Sequence, residues 1–299
     1  MKTKKLLLIV VSVVVSCHLF AENYPTGSLL WKISGKNLAK PSYILGTFHL
    51  KPGAYLDSIP GARTAFESSE QIVGEIILDN TQQMQIMSKA MMPADTTYHS
   101  LYSDEDYDYV NKQLTPLLGA GLDQLGQLKP SLIQTLVVVL NLTKKMPGFN
   151  SEDQIDTYVQ KEAIKKQKPV VGLETIEYQI YTLFNSSSLQ RQADILLCSL
   201  KNIDLIMSKE IDLLLSSYEK ADLNALNDLF VTSEDELCPS TPEEINLLIK
   251  DRNDNWLQKL PAIMLEKSSF IAVGAGHLVG KDGLLYQLQQ AGYKIEAVK

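Results

Sequence analysis

The chain has 299 residues, 45% hydrophobic and 21% charged, with a net charge of −7 and a pI near 5.2. That composition suits a globular protein with a sizeable core. The acidic balance argues against nucleic acid or an anionic membrane surface as a partner, because both call for a basic face.

Met1-Lys2-Thr3-Lys4-Lys5 is a positive segment, and an apolar run follows from Leu6 to Val15. The run is shorter than the roughly 20 residues a membrane span needs and fits a secretory signal peptide. Cleavage after Ala21 leaves residues 22–299 as the exported body. Val14-Val15-Ser16-Cys17 also resembles a bacterial lipobox, which would make Cys17 a lipid anchor and the one attachment to a membrane. Either route places the protein in an extracytoplasmic compartment, periplasmic or secreted. Cys198 and Cys238 then remain, and an even pair in an exported chain predicts a disulfide.

Leu29–Ile33 reads as a strand, Gly35-Lys36-Asn37 as a turn, and Ser42–Leu45 as a second strand after Pro41. The second strand runs into Gly46-Thr47-Phe48-His49. A short helix, Gly61–Ser69, leads to the apolar strand Gln71–Ile76, which carries Glu75 near its end. Strand, helix, strand is a βαβ unit of a parallel sheet.

Residues from about 80 to 260 read as a mostly helical insertion. Ser103–Asp106 has capping-box chemistry, Leu132–Leu142 is a core helix, and Asp156–Lys166 is a helix leading to the strand Pro169–Glu174. Ile203–Lys220 has helical spacing. Thr241-Pro242-Glu243-Glu244 starts a helix expected to carry Arg252, Asn253 and Trp256 and to stop at Pro261. The C-terminus repeats the opening order: strand Phe270–Val273, Gly274-Ala275-Gly276-His277, helix Gly283–Leu288, and strand Tyr293–Val298. The expected fold is therefore one α/β domain. Its mixed, mostly parallel central sheet is built from two related βαβ halves, one at each terminus, bracketing the insertion.

Ligands in open α/β sheets bind beyond the carboxyl ends of strands. His49, Glu75, Glu174 and His277 all fall there. A lone histidine after a strand is commonly scaffold, but two in matched G-x-x-H settings point to shared chemistry. Two imidazoles and a carboxylate can hold a divalent transition metal, manganese, cobalt or zinc, with a position open for water. The candidate ligands are His49, Glu75 and His277. Glu75 doubles as a candidate general base, and Arg252 as a group that orients Glu75 or clamps a substrate carboxylate. Glu174 can equally cap the segment after it. No Walker loop, GxSxG elbow, HExxH or CxxC is present.

The segments Gly46–His49, Val73-Gly74-Glu75, Gly172-Leu173-Glu174-Thr175, Arg252-Asn253 with Trp256, and Gly274–Leu278 with Gly280 and Gly283-Leu284 together resemble the TraB/GumN family. That family includes the TIKI-like proteases. The resemblance covers Ser28 to Val298. It implies an α/β core akin to the erythromycin-esterase and ChaN-like folds, and metal-dependent hydrolysis, most readily of peptides, at His49, Glu75 and His277. The ChaN-like resemblance implies an alternative: a non-catalytic protein that binds haem or another iron ligand through the same histidines.

Overall fold

The computed structural model describes residues 24–77, 88–146, 149–150, 152–229 and 237–299. The expected export signal and Cys17 lie outside them. Among the described residues, no helix is long and apolar enough to cross a membrane.

Six strands form one sheet: β1 (Leu30–Ser34), β2 (Ser42–Thr47), β3 (Gln71–Gly74), β4 (Val170–Gly172), β5 (Ser269–Gly274) and β6 (Lys294–Ala297). Their spatial order is β4-β3-β5-β2-β1-β6. β2 pairs parallel with β5, and β3 pairs parallel with both β5 and β4. β1 pairs antiparallel with β2 and with β6, so five strands run one way and β1 runs against them. The expected α/β fold with a mixed, mostly parallel sheet is the one that forms. β3 and β5 are buried almost throughout, as strands covered on both faces must be.

The two βαβ halves interleave instead of lying side by side. Helix α1 (Ala62–Ser68) carries the chain from β2 to β3, but β5 sits between those strands. The C-terminal crossover from β5 to β6 likewise passes over β2 and β1. The outcome is that β2 and β5 are neighbours at the centre of the sheet, with Gly46 opposite Val273 and Thr47 opposite Gly274. Both G-x-x-H loops therefore leave the same edge, side by side.

Apart from β4, the insertion is mostly helical where it is described. It includes α2 (Asp104–Leu118), α3 (Pro130–Lys144), α4 (Ile155–Lys165), α5 (Ile176–Phe184), α6 (Leu189–Lys201) and α7 (Asp212–Glu219). The sheet, α1 and α4 share one hydrophobic core, while α2, α3 and α6 close a second around Val110, Leu114, Ile133 and Leu196. Cys198 at the end of α6 is bonded to Cys238.

Three sequence expectations are corrected. Residues 203–220 are not one regular helix: Ile206–Ile211 is a π-helical turn before α7. Thr241 caps α8 (Pro242–Leu248) in a full capping box, but that helix ends before Arg252. Arg252, Asn253 and Trp256 belong to a separate helix, α9 (Lys250–Glu266), which runs through Pro261. One lost backbone bond at a proline costs about 3 kcal/mol. Fully buried Leu260 and Met264 on either side of Pro261 offset it, at roughly 1.5–3 kcal/mol each.

Candidate active site

The first histidine is built from the sequence outward. Gly46, near the end of β2, lets the second motif approach closely, because a Cβ there would meet Leu278 Cδ1 at 2.8 Å and the Ala275 backbone at 3.2 Å. The two G-x-x-H turns thus pack directly on each other. Beyond the turn, Lys51 accepts the Ile155 N–H and Gly53 donates to Asp153, which ties the loop to the start of α4. That tether brings Asp156, in the first turn of α4, under the motif. Its carboxylate accepts the Thr47 hydroxyl at 2.6 Å and lies 2.7 Å from His49 Nδ1. The His49 side chain remains 60% exposed. The Asp156 charge raises its pKa, to about 9, with the hydrogen bond adding to it. Solvent over the exposed ring weakens that attraction.

His277 is held differently. Its ring is buried against the Trp256 indole, centroids 4.4 Å apart. Asn253 donates its amide N–H groups to the His277 and Asp282 carbonyls, which leaves Asn253 Oδ1 facing His277 Nδ1 at 2.8 Å. Nδ1 must therefore carry the proton, and Nε2 presents a lone pair. Arg252 Nη1 takes that lone pair at 2.9 Å. Burial lowers the His277 pKa to about 3, so the ring is neutral.

Arg252 is the hub. Its Nε and Nη2 grip Glu174, Nη2 also reaches Glu75, and Nη1 reaches the Leu248 carbonyl. The guanidinium stacks on the Trp256 ring at 4.8 Å, and the Trp256 indole N–H donates to Glu174. Glu75 stands just past β3, taking the Gly274 N–H on Oε1 at 2.8 Å and the Gln179 amide on Oε2 at 3.3 Å. Burial works against its charge, yet with His277 neutral the Arg252 and His49 cations and the Gly274 N–H hold its carboxyl below the usual carboxylate range.

A cavity of about 400 Å³ opens at this edge of the sheet. His49, Glu75, Asp156 and Arg252 line it together with Gln154, Gln160 and Gln179. The structure thus brings Glu75, Glu174, Arg252 and His277 into one network and sets His49 on the wall beside it. The histidines share no hydrogen-bond partner: His49 is served by Asp156, His277 by Asn253 and Arg252. In the sequence Asn253 has a place in the Arg252-Asn253 motif but no role at the site, and Asp156 reads only as the start of a helix.

The donor types suit a divalent metal, and each imidazole has Nδ1 tied to an oxygen acceptor, as metal-bound histidines usually do. With Arg252 in place the arrangement does not offer the ion its ligands. Arg252 occupies the His277 lone pair and one oxygen of Glu75, and among the described residues no three His, Cys, Asp or Glu side chains gather closely enough to hold a metal.

Residues 29–297 match the model of the TraB/PrgY/gumN family. The chain belongs to that family. Among curated proteins it is similar to Metalloprotease TIKI2 of Danio rerio, 25% identical with 90% of this chain and 60% of that protein covered. It is also similar to Metalloprotease TIKI1 of Homo sapiens, at 23% with 94% and 64% covered. The chain thus spans about 60% of the length of these relatives. No solved structure matches it. The matched region takes in every residue of the network.

Proposed function

We propose that this TraB/PrgY/gumN member is an extracytoplasmic hydrolase that cleaves peptide bonds, of the metal-dependent kind its TIKI relatives are named for. The observation that carries the reading is the cavity at the carboxyl edge of β2, β3 and β5, with an exposed imidazole backed by a carboxylate on one wall and a fixed ion network on the other.

His49 is the group that moves a proton. Its Nδ1–H is held by Asp156, so Nε2 is the atom offered to the cavity. In its neutral form it takes a proton from the water whose oxygen adds to the peptide carbonyl. Asp156 stabilises the imidazolium that results, which then returns the proton to the amine as the C–N bond breaks. Arg252 has its donors committed to Glu75, Glu174, His277 and Leu248, so it positions Glu75 and does not clamp substrate. Gln154, Gln160 and Gln179 of the wall are neutral amides, the last two bound to the Ile76 carbonyl and Glu75, so no further charge faces the main chain of a peptide from them. Holding manganese, cobalt or zinc on His49, Glu75 and His277 would require Arg252 to release His277.

The test is digestion of a mixed peptide library by the mature protein, with EDTA and with added manganese, cobalt or zinc, alongside metal analysis. Cleavage that His49→Ala abolishes supports the reading; a protein that cleaves nothing under any condition overturns it. EDTA resistance would remove the metal from it. A haem absorption band without cleavage would favour the binding protein instead.

A further inference from the structure

A second cavity, of about 360 Å³, lies between α3, α5 and α6. It adjoins the first: Thr182 and Leu183 of α5 line both. Its walls are half-buried aliphatic side chains such as Val138, Val139 and Ile195, and its rim carries Leu183 and Leu248, 46% and 37% exposed. Exposed leucines at a cavity mouth are surface that a ligand covers with gain.

Two polar atoms give that ligand a chemistry. The Thr182 hydroxyl, on a residue only 2% exposed, and the Ser131 hydroxyl, on a half-buried residue, are both covered and have no hydrogen-bond partner among the described residues. Both residues line the second cavity, from different helices, and Thr182 lines the first as well. Buried hydroxyls without partners are rare because desolvation is left uncompensated. A peptide main chain supplies both donors and acceptors. The charged groups of the wall, Arg191 and Glu244, are paired with each other at 2.9 Å, so no net charge is offered to an ionic side chain.

We propose that the two cavities form one groove for an extended, uncharged peptide segment, which crosses Leu183 and hydrogen-bonds through its backbone to Thr182 and Ser131. This deepens the peptidase reading and rests on it for the identity of the ligand.

The test uses end-blocked peptides of alanine, leucine, glutamine and serine, three and nine residues long, with binding followed by fluorescence anisotropy and cleavage measured in parallel. The wild type binds the longer peptide at least ~10-fold more tightly. Ile195→Trp, which fills the second cavity, removes that advantage, and Thr182→Val, which keeps shape and loses the hydroxyl, weakens the longer peptide about fivefold. Equal affinity for both lengths, or variants that leave the longer peptide unchanged, overturns the groove. If Ile195→Trp does not fold, the near-isosteric Thr182→Val decides. Absence of cleavage with length-dependent binding intact rejects the hydrolase while supporting the groove.

Discussion

Asp156 Oδ2 lies 2.7 Å from His49 Nδ1, and its other oxygen takes the hydroxyl of Thr47, so one carboxylate orients two residues of the first G-x-x-H turn. The contact spans 107 residues of sequence and exists because α4 begins beside that turn. It makes the first prediction.

Asp156→Asn removes the charge that raises His49, so the imidazole titrates closer to its ordinary 6.5 than to about 9. Because the folded value lies above the unfolded one, the pair's stabilisation is complete below pH 6.5 and is lost as pH rises through about 9. The wild type should therefore lose stability across that window, and the variant should lose less. Histidine NMR titration with urea unfolding at pH 6 and pH 9 checks both; an unmoved His49 midpoint would reject the pairing.

Arg252→Met strands Glu75 and Glu174, whose side chains are 10% and 4% exposed, without their cation. Breaking a buried ion pair from one side costs about 3–5 kcal/mol. Arg252→Lys keeps the charge but not the fork that reaches two carboxylates and a histidine, so it too should destabilise. Denaturant melts measure this. A loss below ~1 kcal/mol for the methionine variant would show that the network is not formed.

Gly46→Ala puts a methyl into Leu278 and the Ala275 backbone. Overpacking of this kind costs roughly 1–3 kcal/mol. Leu278→Ala added to it should recover part of the loss, since the closest clash is with that side chain. A simple sum of the two single effects would mean that the turns do not touch.

Reduction of Cys198–Cys238 opens a link between residues 40 apart, the end of α6 and the segment before α8. Loop-closure entropy sets the expected destabilisation at about 2–4 kcal/mol. Thermal unfolding with and without reductant gives the value, and the reduced protein should melt several degrees lower.

Much of the fold was written in local pattern. The strands, the capping box of Thr241 and Glu244, and the apolar face of α3 follow from side-chain period and cap chemistry, both properties of neighbouring residues. The errors were local too. Pro261 signals a helix stop by its own chemistry, and only the buried side chains around it carry α9 onward. The split between α8 and α9 at Ile249, with φ −117° and ψ −69°, has no marker in composition.

The sequence by itself determined which residue types stand at strand ends: His49, Glu75, Glu174 and His277, with the glycines that let the chain turn there. Tertiary structure decided their partners. Interleaving of β2 and β5 set the two G-x-x-H turns side by side, α9 delivered Arg252 between Glu75, Glu174 and His277, and α4 delivered Asp156 to His49. Spacing along a chain fixes which face a residue occupies, but a hydrogen bond across 78 or 177 residues is set by how helices pack on the sheet. Packing is a property of the whole core and has no signature in any one segment.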